Sequence, residues 1–398
     1  MKILLVHNDY AKYSGEEAVV DKMNQLFKRL GHSVAQLRMS TAGLRENLMG
    51  KAKGFIAGLY SPAGVKAMAE ALDREKPDIV NVHNLYPFIS PAALRECKKR
   101  GVPVIMTVHN YRLICPTGLF MRNNAPCELC LEKGNEWGCV KYNCEGSLLK
   151  SVGYAGRNAV ARLRRHYLDC VDYFACLSDF QRQKLIQAGF DPAKLIVIPN
   201  SITLPTPPPP IPNPQSPIPK YVAFSGRISP EKGVDLIMEV ARRHPEIPFK
   251  FAGAVSPNVN LSLPDSNNVE LKGYLSGDEL EKFYKDAAFF VLSSKCYEGF
   301  PMAILEAAKY SKPMVAPNHG AFPEIIKQGN ETEEGGVLFT PGDVDELEKV
   351  IVGLWNNPEE INRLGQNAYK NLQNHYTSDV VANMWKNLLQ KVINPFLP

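Results

Sequence analysis

The sequence predicts an α/β protein made of two doubly wound domains, each built on a parallel β-sheet. In both halves of the chain, short unbroken apolar runs alternate with stretches whose apolar residues recur at helical spacing. Such runs are typical of parallel strands that helices cover on both faces. Nine prolines fall within residues 203–219, where neither a helix nor a central strand could form. We therefore expect an extended linker there, with one domain on either side.

The predicted boundaries place the first domain at residues 1–202, the second at 220–377 and a terminal helix at 378–398. That helix is expected to pack back on the first domain. The strands predicted for the first domain are Ile3–Val6, Ile79–Val82, Val104–Val108, Tyr173–Leu177 and Ile196–Ile198. Those predicted for the second domain are Tyr221–Ser225, Phe249–Ala252, Phe289–Leu292 and Pro313–Ala316. Ligands of such sheets bind beyond the carboxyl ends of the strands, so residues that follow a strand are the candidates for a site.

Composition and charge narrow the class of protein. No apolar run approaches the ~18 residues of a membrane span, and the apolar start ends at His7, too early for a signal peptide. We expect a cytoplasmic protein. Residues 1–200 hold 28 Lys and Arg against 18 Asp and Glu, whereas the remainder holds 18 against 23. The two halves should therefore meet different partners, with anionic substrates or acidic lipid for the basic half. No nucleic-acid recognition motif is present.

The strongest chemical signal is the segment Cys296–Ala307, which follows a buried strand and leads into a helix near Pro301. It carries two carboxylates, Glu298 in the loop and Glu306 in the helix. Carboxylates at a strand end accept hydrogen bonds from hydroxyl groups, as a sugar or a ribose requires.

A second signal is the segment Phe224–Gly233, where another strand ends and another helix begins. Arg227 and Lys232 flank the turn. Both cations could bind one diphosphate. The guanidinium group of Arg227 would donate two parallel hydrogen bonds, and the ammonium group of Lys232 would act as a point charge.

Together these motifs resemble the retaining glycosyltransferases of family 4. The shared pattern is Gly-Arg-x-x-x-Glu-Lys-Gly followed by Glu-Gly-Phe-Pro-x-x-x-Leu-Glu-Ala, and the resemblance covers nearly the whole chain. It extends to Pro199-Asn200-Ser201 and to Gly335–Phe339. The resemblance implies the GT-B fold, in which two Rossmann-like domains face a central cleft.

The resemblance also implies roles for the residues of the second domain. Arg227 and Lys232 would bind the donor diphosphate and stabilise the leaving group. Glu298 would contact the transferred sugar beside the backbone of Gly299, Phe300 and Pro301, and Glu306 would hold the ribose. The expected donor is a UDP- or GDP-sugar, with no metal or other cofactor required for transfer, because the two cations replace the metal.

In the first domain, His109 follows a strand and matches the active-site histidine of the family. It would contact the donor sugar, and Gly15 would approach the donor phosphate. Asn110 and Ser14 depart from the family's usual Asp and Gly. His83 and Asn84 follow the preceding strand and could line the acceptor side.

The resemblance implies retention of anomeric configuration. Because no protein nucleophile is placed like the paired carboxylates of retaining hydrolases, we favour front-face attack, with the leaving phosphate taking the acceptor's proton. Glu298 as a covalent nucleophile is the second mechanism. Two alternatives stay open for the function: another sugar-nucleotide chemistry of the GT-B fold, such as epimerisation or hydrolysis, and a non-catalytic sugar-nucleotide-binding scaffold.

An insert at about residues 115–147 contains Cys127, Cys130, Cys139 and Cys144, which could hold a structural zinc ion. Reduced packing cysteines and disulfides are the alternatives, the latter disfavoured in a cytosolic protein. The next stretch, residues 148–165, is apolar with several arginines, as expected of a helix lying on a membrane surface. The expected acceptor is therefore a glycan, a lipid-linked molecule or a small molecule, met in the cytoplasm or at the inner face of the plasma membrane.

Overall fold

Two six-stranded parallel sheets, one in each unit of the chain, form the framework of the protein. The computed structural model describes residues 1–10, 15–40, 57–204, 221–257, 259, 267–326 and 333–394. The first unit comprises Met1–Leu119, Glu128–Pro199 and Ala382–Pro398, and the second unit comprises Phe120–Cys127 and Asn200–Val381. Most of the predicted proline-rich linker, residues 205–219, lies outside the described residues.

The bounds of the elements follow in chain order. The strands are β1 (Lys2–Asp9), β2 (Ser33–Ser40), β3 (Ile79–Val82), β4 (Val104–Val108), β5 (Met121–Arg122), β6 (Ala125–Pro126), β7 (Tyr173–Cys176), β8 (Leu195–Val197), β9 (Val222–Ser225), β10 (Phe249–Ala252), β11 (Val269–Gly273), β12 (Phe289–Val291), β13 (Met314–Pro317) and β14 (Gly336–Phe339). The helices are α1 (Gly15–Arg29), α2 (Pro62–Glu75), α3 (Leu94–Lys99), α4 (Leu129–Glu132), α5 (Trp137–Lys141), α6 (Leu148–Leu163), α7 (His166–Cys170), α8 (Asp179–Gln187), α9 (Val234–Arg243), α10 (Gly277–Asp286), α11 (Met302–Ala308), α12 (Phe322–Ile326), α13 (Val344–Trp355), α14 (Pro358–Asn371) and α15 (Ser378–Ile393).

Both sheets are doubly wound. The first has the strand order β2-β1-β3-β4-β7-β8 and the second β11-β10-β9-β12-β13-β14, and every pairing in them is parallel. The inner strands are mostly apolar, as in β4, whose five residues are all buried and include one polar residue, Thr107. Such strands bury both faces, since helices pack on each side of the sheet. The predicted fold class is thereby confirmed.

Three edge strands, β2, β11 and β14, were missing from the prediction. β2 is only half-buried, and β11 reads Val-Glu-Leu-Lys-Gly and is largely exposed. An edge strand buries little surface, so its sequence lacks the apolar run that marks an inner strand. The other predicted strands lie within about one residue of the observed bounds, except that β1 extends to Asp9.

The last helix, α15, begins at Ser378, and its residues from Ala382 onward belong to the first unit. Trp385 of this helix is buried and meets the ring of Phe27 in α1 edge-on, with 5.4 Å between ring centroids. This contact anchors the end of the chain to the first unit.

Two helical glycines of the second unit should respond in opposite ways to replacement by alanine. A methyl group on Gly365 of α14 would lie 2.1 Å from the carbonyl oxygen of Ser311, whereas one on Gly353 of α13 would meet nothing within 4 Å. We expect Gly365→Ala to lower the free energy of unfolding by about 1–3 kcal/mol through overpacking. Gly353→Ala should raise it by about 0.5–1 kcal/mol through helix propensity. Urea denaturation of both variants checks this, and equal signs would contradict it.

Candidate active site

Each sheet has one position where the strand order reverses, and the predicted site residues gather there. In the first sheet the reversal lies between β1 and β3, and in the second between β9 and β12. Ligands of doubly wound proteins bind beyond the carboxyl ends of the strands at such a position. The residues that follow β1, β3 and β4 form what we call the first-unit cluster, and those that follow β9 and β12 form the second-unit cluster.

In the second-unit cluster, two loops are held together by glycines. Gly233 has a left-handed backbone (φ 64°), and a methyl group there would lie 2.0 Å from the carbonyl oxygen of Ser293. The hydroxyl group of Ser293 in turn donates to the carbonyl oxygen of Gly233 over 2.8 Å. Only glycine allows this approach. It brings the turn that ends at Lys232 against the loop that follows β12.

That approach pairs Lys232 with Glu298, as the structure places their charged groups 2.6 Å apart. The hydroxyl group of Ser294 donates to the same carboxylate oxygen over 2.5 Å. Burial acts to raise the pKa of Glu298, but the Lys232 ammonium group outweighs it and holds that pKa below its ordinary value. Burial likewise acts to lower the pKa of Lys232, and Glu298 reverses the effect. Both groups are therefore charged at neutral pH.

Glu306 lies one turn into α11, half-buried, and is oriented by Tyr284 of α10. The Tyr284 hydroxyl group lies 2.7 Å from Oε2 of Glu306 and 2.8 Å from Oγ of Ser225 at the end of β9. Since the phenol has one proton, it donates to the carboxylate and accepts from the serine. The carboxylate is thus fixed beside the end of β9.

The remaining predicted residues of the second unit take less constrained positions. Arg227 is 64% exposed and pairs with Glu231 over 2.8 Å, so its guanidinium group lies at the surface. Gly299 is half-buried and Pro301 buried, just before α11, and the buried Phe300 ring packs against Tyr376. The structure therefore brings Lys232 and Glu298 together directly and leaves Arg227 on an exposed turn.

Sequence reasoning missed three second-unit residues that orient the predicted ones: Ser294, Tyr284 and His319. His319 donates through Nε2 to the carbonyl oxygen of Ser294 over 2.8 Å, and burial lowers its pKa. Its Nδ1 atom is buried and has no hydrogen-bond partner in the described part of the chain. The sequence did offer one signal for His319, which is that it follows strand β13. The carboxyl ends of parallel strands lie at one edge of the sheet, so a residue after β13 lies at the same edge as the site.

In the first-unit cluster, His109 pairs with His83. The Nδ1 atom of His83 lies 2.7 Å from the Nε2 atom of His109, and the rings stack with centroids 5.0 Å apart. Burial lowers the pKa of both histidines, and for His109 the nearby Glu16 carboxylate only partly opposes this. Both rings are therefore neutral at pH 7, with one proton shared between them.

Glu16, which no sequence motif indicated, is the anionic centre of this cluster. Burial acts to raise its pKa, but His109 and Arg112 outweigh it, and the net shift is downward. Asn110 donates its amide hydrogen to Oε1 of Glu16 over 2.6 Å, and Tyr10 donates its hydroxyl hydrogen to Oε2 over 2.5 Å. An aspartate at position 110 could not make this contact, which accounts for the departure from the family pattern. A cavity of about 30 Å³, enough for one water molecule, lies beside His83, His109 and Arg112.

Of the predicted glycine loop, Gly15 opens α1 and Ser14 lies outside the described residues. A methyl group on Gly15 would meet nothing within 4 Å. Asn84 is buried and donates to the carbonyl oxygen of Asn8, so it ties β3 to β1.

One group of metal-ligating side chains is close-set in the described ranges. The ligand atoms of His7, Asp9 and Glu17 all lie within 4.8 Å of one another. Asp9 is paired with Arg38 over 2.8 Å, and Glu17 accepts the backbone N–H of Tyr10 over 3.1 Å. These partners already satisfy the two carboxylates, so the group is explained as an anchor between β1, β2 and α1.

The predicted cysteine ligands are divided between the units. Cys130, Cys139 and Cys144 belong to the first unit and Cys127 to the second, and none of the nine cysteines, all of them among the described residues, is in a disulfide. A hydrogen bond with Cys144, together with burial, raises the pKa of the Cys139 thiol, and Cys115 and Cys130 lie close enough to add to the effect. The zinc site stays a prediction, with Cys115 as a neighbour that the sequence did not indicate.

Comparison with known proteins identifies the family. The description "Glycosyltransferase Family 4" matches residues 13–204, and "Glycosyl transferases group 1" matches residues 212–371. MMP alpha-(1->4)-mannosyltransferase of Mycolicibacterium hassiacum is 30% identical over 182 residues, 44% of this chain and 43% of that protein. Sulfoquinovosyl transferase SQD2 of Arabidopsis thaliana is 32% identical over 37% of this chain and 29% of its own length. The chain thus spans less than half the length of these relatives.

Solved structures match over nearly the whole chain at low identity. Sucrose-phosphate synthase from Thermosynechococcus elongatus superposes with a TM-score of 0.71 at 14% identity, covering 99% of both chains. HepE of Anabaena, solved with UDP and glucose, gives 0.67 at 15% identity, covering 98% of this chain and 100% of that one. The two parallel sheets, the clusters at their reversal points and these matches agree, and the chain belongs to the family-4-like glycosyltransferases of the GT-B fold.

Proposed function

We propose that this glycosyltransferase moves a hexose from a UDP- or GDP-sugar, with retention of configuration, to a glycan, lipid-linked or small-molecule acceptor. Synthesis of an envelope polysaccharide or glycolipid, in the cytoplasm or at the inner face of the plasma membrane, is the process it would serve. The observation that carries the proposal is the Lys232–Glu298 pair at the reversal point of the second sheet, with 2.6 Å between the charged groups. HepE of Anabaena, which has the same fold, was solved with UDP-glucose.

The pair supplies two groups that the reaction needs. An ammonium group next to the donor diphosphate would stabilise the negative charge that develops as the glycosidic bond breaks. The carboxylate of Glu298 accepts hydrogen bonds from Lys232 and Ser294 on one oxygen, Oε1. We assign this carboxylate to a hydroxyl group of the transferred sugar. Because the carboxylate is held by hydrogen bonds and a paired cation, it is a poor nucleophile, which favours front-face attack by the acceptor.

The other predicted residues would bind the remaining parts of the donor. Glu306, oriented by Tyr284, would accept hydrogen bonds from the ribose hydroxyl groups. Arg227, on its exposed turn, would close on the diphosphate only when the donor is bound. In the first unit, the neutral His109 would contact the sugar near the reacting carbon.

Donor binding tests the proposal. We expect one UDP- or GDP-sugar to raise the melting temperature without added metal, since a ligand at about 100 times its Kd stabilises the folded state by about 2.7 kcal/mol. Glu306→Gln and Arg227→Ala should each abolish most of the shift. Arg242→Ala, an exposed arginine of α9 paired with Glu239, is the matched control and should leave the shift intact. If no UDP-, GDP-, ADP- or dTDP-sugar shifts the wild type, or if Glu306→Gln responds as the wild type does, the donor assignment is wrong.

A further inference from the structure

Large apolar side chains are exposed together on one part of the first unit. They are Trp137, Tyr142, Leu148, Leu149, Val152 and Leu163, and we call them, with the exposed lysines Lys133, Lys141 and Lys150, the insert face. Trp137, Leu149 and Leu163 are 67%, 72% and 71% exposed. Single exposed apolar residues are common on soluble proteins, but a contiguous group marks a contact surface.

Helix α6 carries much of this exposure, because large apolar residues lie on its solvent-facing side. Leu148, Val152, Ala159 and Leu163 recur at the spacing of one helical face, and the three large ones are exposed, although an ordinary soluble helix buries such a face. The side that packs into the protein buries the polar residues Ser151, Arg157 and Asn158 together with the small residues Gly153, Ala155 and Ala161.

Two inward polar side chains of α6 make specific contacts. The Arg157 guanidinium group lies over the rings of Tyr154 and Tyr86, at 3.8 and 4.5 Å, and donates to the carbonyl oxygen of Pro116 over 3.1 Å. Asn158 donates to the carbonyl oxygen of Arg112 over 2.6 Å. These contacts fix the rotation of the helix, so the apolar face cannot turn inward.

A groove with a volume of about 710 Å³ lies between α6 and the pair α4 and α5, and it continues the apolar face. Trp137, Tyr142 and Val152 line it together with small residues of α6, and Lys133, Lys141 and Glu136 also contribute to its lining. Lysine side chains therefore adjoin the apolar surface.

Charge identifies the partner. Residues 129–165 contain seven Lys and Arg against three Glu. Arg162 pairs with Glu136 and Arg165 with Asp169, whereas Lys133 and Lys150 form no ion pair in the ranges that the structure describes. An apolar face that is flanked by exposed lysines and carries a tryptophan and a tyrosine matches the layers of an anionic bilayer. A protein partner would require acidic and apolar surfaces that match this face in position. No feature of the insert face requires such a match.

We propose that the insert face docks on an anionic lipid bilayer, with Leu148, Leu149 and Val152 entering the acyl region. Trp137 and Tyr142 lie at the level of the head groups, and the lysines contact the phosphates. This assignment deepens the membrane contact proposed above. Vesicle binding needs no sugar transfer, so the docking surface and the transfer activity can fail separately.

Sedimentation of the full-length chain with vesicles tests the docking surface. We expect binding to vesicles of phosphatidylcholine with phosphatidylglycerol, at least about tenfold weaker binding to phosphatidylcholine alone, and weakening by salt. Leu148→Ser with Leu149→Ser should reduce the affinity at least about tenfold, since two buried leucines are lost from the bilayer. Tyr274→Ser replaces an equally exposed apolar residue of the second unit and should bind as the wild type does.

Tryptophan emission gives an independent readout. Of the three tryptophans, Trp385 is buried and Trp355 is half-buried, whereas Trp137 is exposed. Anionic vesicles should shift the emission to the blue, and Trp137→Phe should remove the shift. The proposal is overturned if the wild type stays in the supernatant, or if the leucine variant binds as well as the wild type. It is also overturned if light scattering shows a dimer that the leucine variant converts to a monomer, because a second copy would then cover the face.

Discussion

Lys232→Met is expected to lower kcat/KM for donor turnover by about 100-fold to 1,000-fold, the effect of removing one preplaced charge that stabilises a transition state. The same change should lower the free energy of unfolding by about 3 kcal/mol, because it removes the cation that is paired with the charged, largely buried Glu298 carboxylate. In the native protein the Lys232 ammonium group lies 2.6 Å from that carboxylate, and the two side chains are 22% and 13% exposed. Release of nucleoside diphosphate and urea denaturation measure the two effects.

A double variant separates the stability effect from the catalytic one. Lys232→Met with Glu298→Gln removes both charges and should recover most of the lost stability while activity stays low. Lys250→Met, which breaks a surface pair with Glu270, should change unfolding by less than about 1 kcal/mol and leave turnover unchanged. If the double variant regained activity together with stability, the ammonium group would be structural, and the proposed role of Lys232 in leaving-group stabilisation would be refuted.

His109→Ala is expected to lower kcat by about 100-fold, with a smaller effect on the donor's KM. The Nε2 atom of His109 is engaged by His83, so Nδ1 is the atom that can meet a sugar hydroxyl group. Removing the ring removes that contact and also leaves His83 without its partner. Single-turnover kinetics with the donor that stabilises the wild type measure the change.

The pH dependence of kcat gives His109 a second test. Burial lowers the pKa of His109 and of His83, so both rings stay neutral as the pH falls to the ordinary histidine value of about 6.5. Activity should hold to that pH and fall only at more acidic values, where the rings gain protons. His244→Ala is the control, since that histidine pairs with Glu246 and Glu348 in the second unit. An alanine variant of His109 with wild-type kcat would exclude the histidine from the reaction.

The sequence sufficed for the inner strands and for the loops that bear the site. β12 is an unbroken apolar run and β4 is one except for Thr107, and a run that is buried on both faces has a sequence pattern of its own. The residues Lys232 and Glu298 could be found because each follows such a strand.

What the sequence could not predict is contact between distant segments. The pairing of Lys232 with Glu298 spans 66 positions and depends on a backbone approach at Gly233. Tyr284, which orients Glu306, comes from a helix with no motif of its own. For α6 the sequence indicated an apolar surface helix, but not that Arg157 and Asn158 are among the residues it buries.

The exposed edge strand β11 escaped prediction because it is charged, and the same charges oppose the addition of another strand to the second sheet. Glu270 lies between Lys250 and Lys272, at 2.9 and 2.6 Å, on the strand whose outer backbone groups face no neighbouring strand of the sheet. Adding a further chain to this edge would bury those ionised groups, which opposes edge-to-edge aggregation. The property that makes β11 inconspicuous in the sequence thus helps to keep the folded protein from polymerising through its sheet.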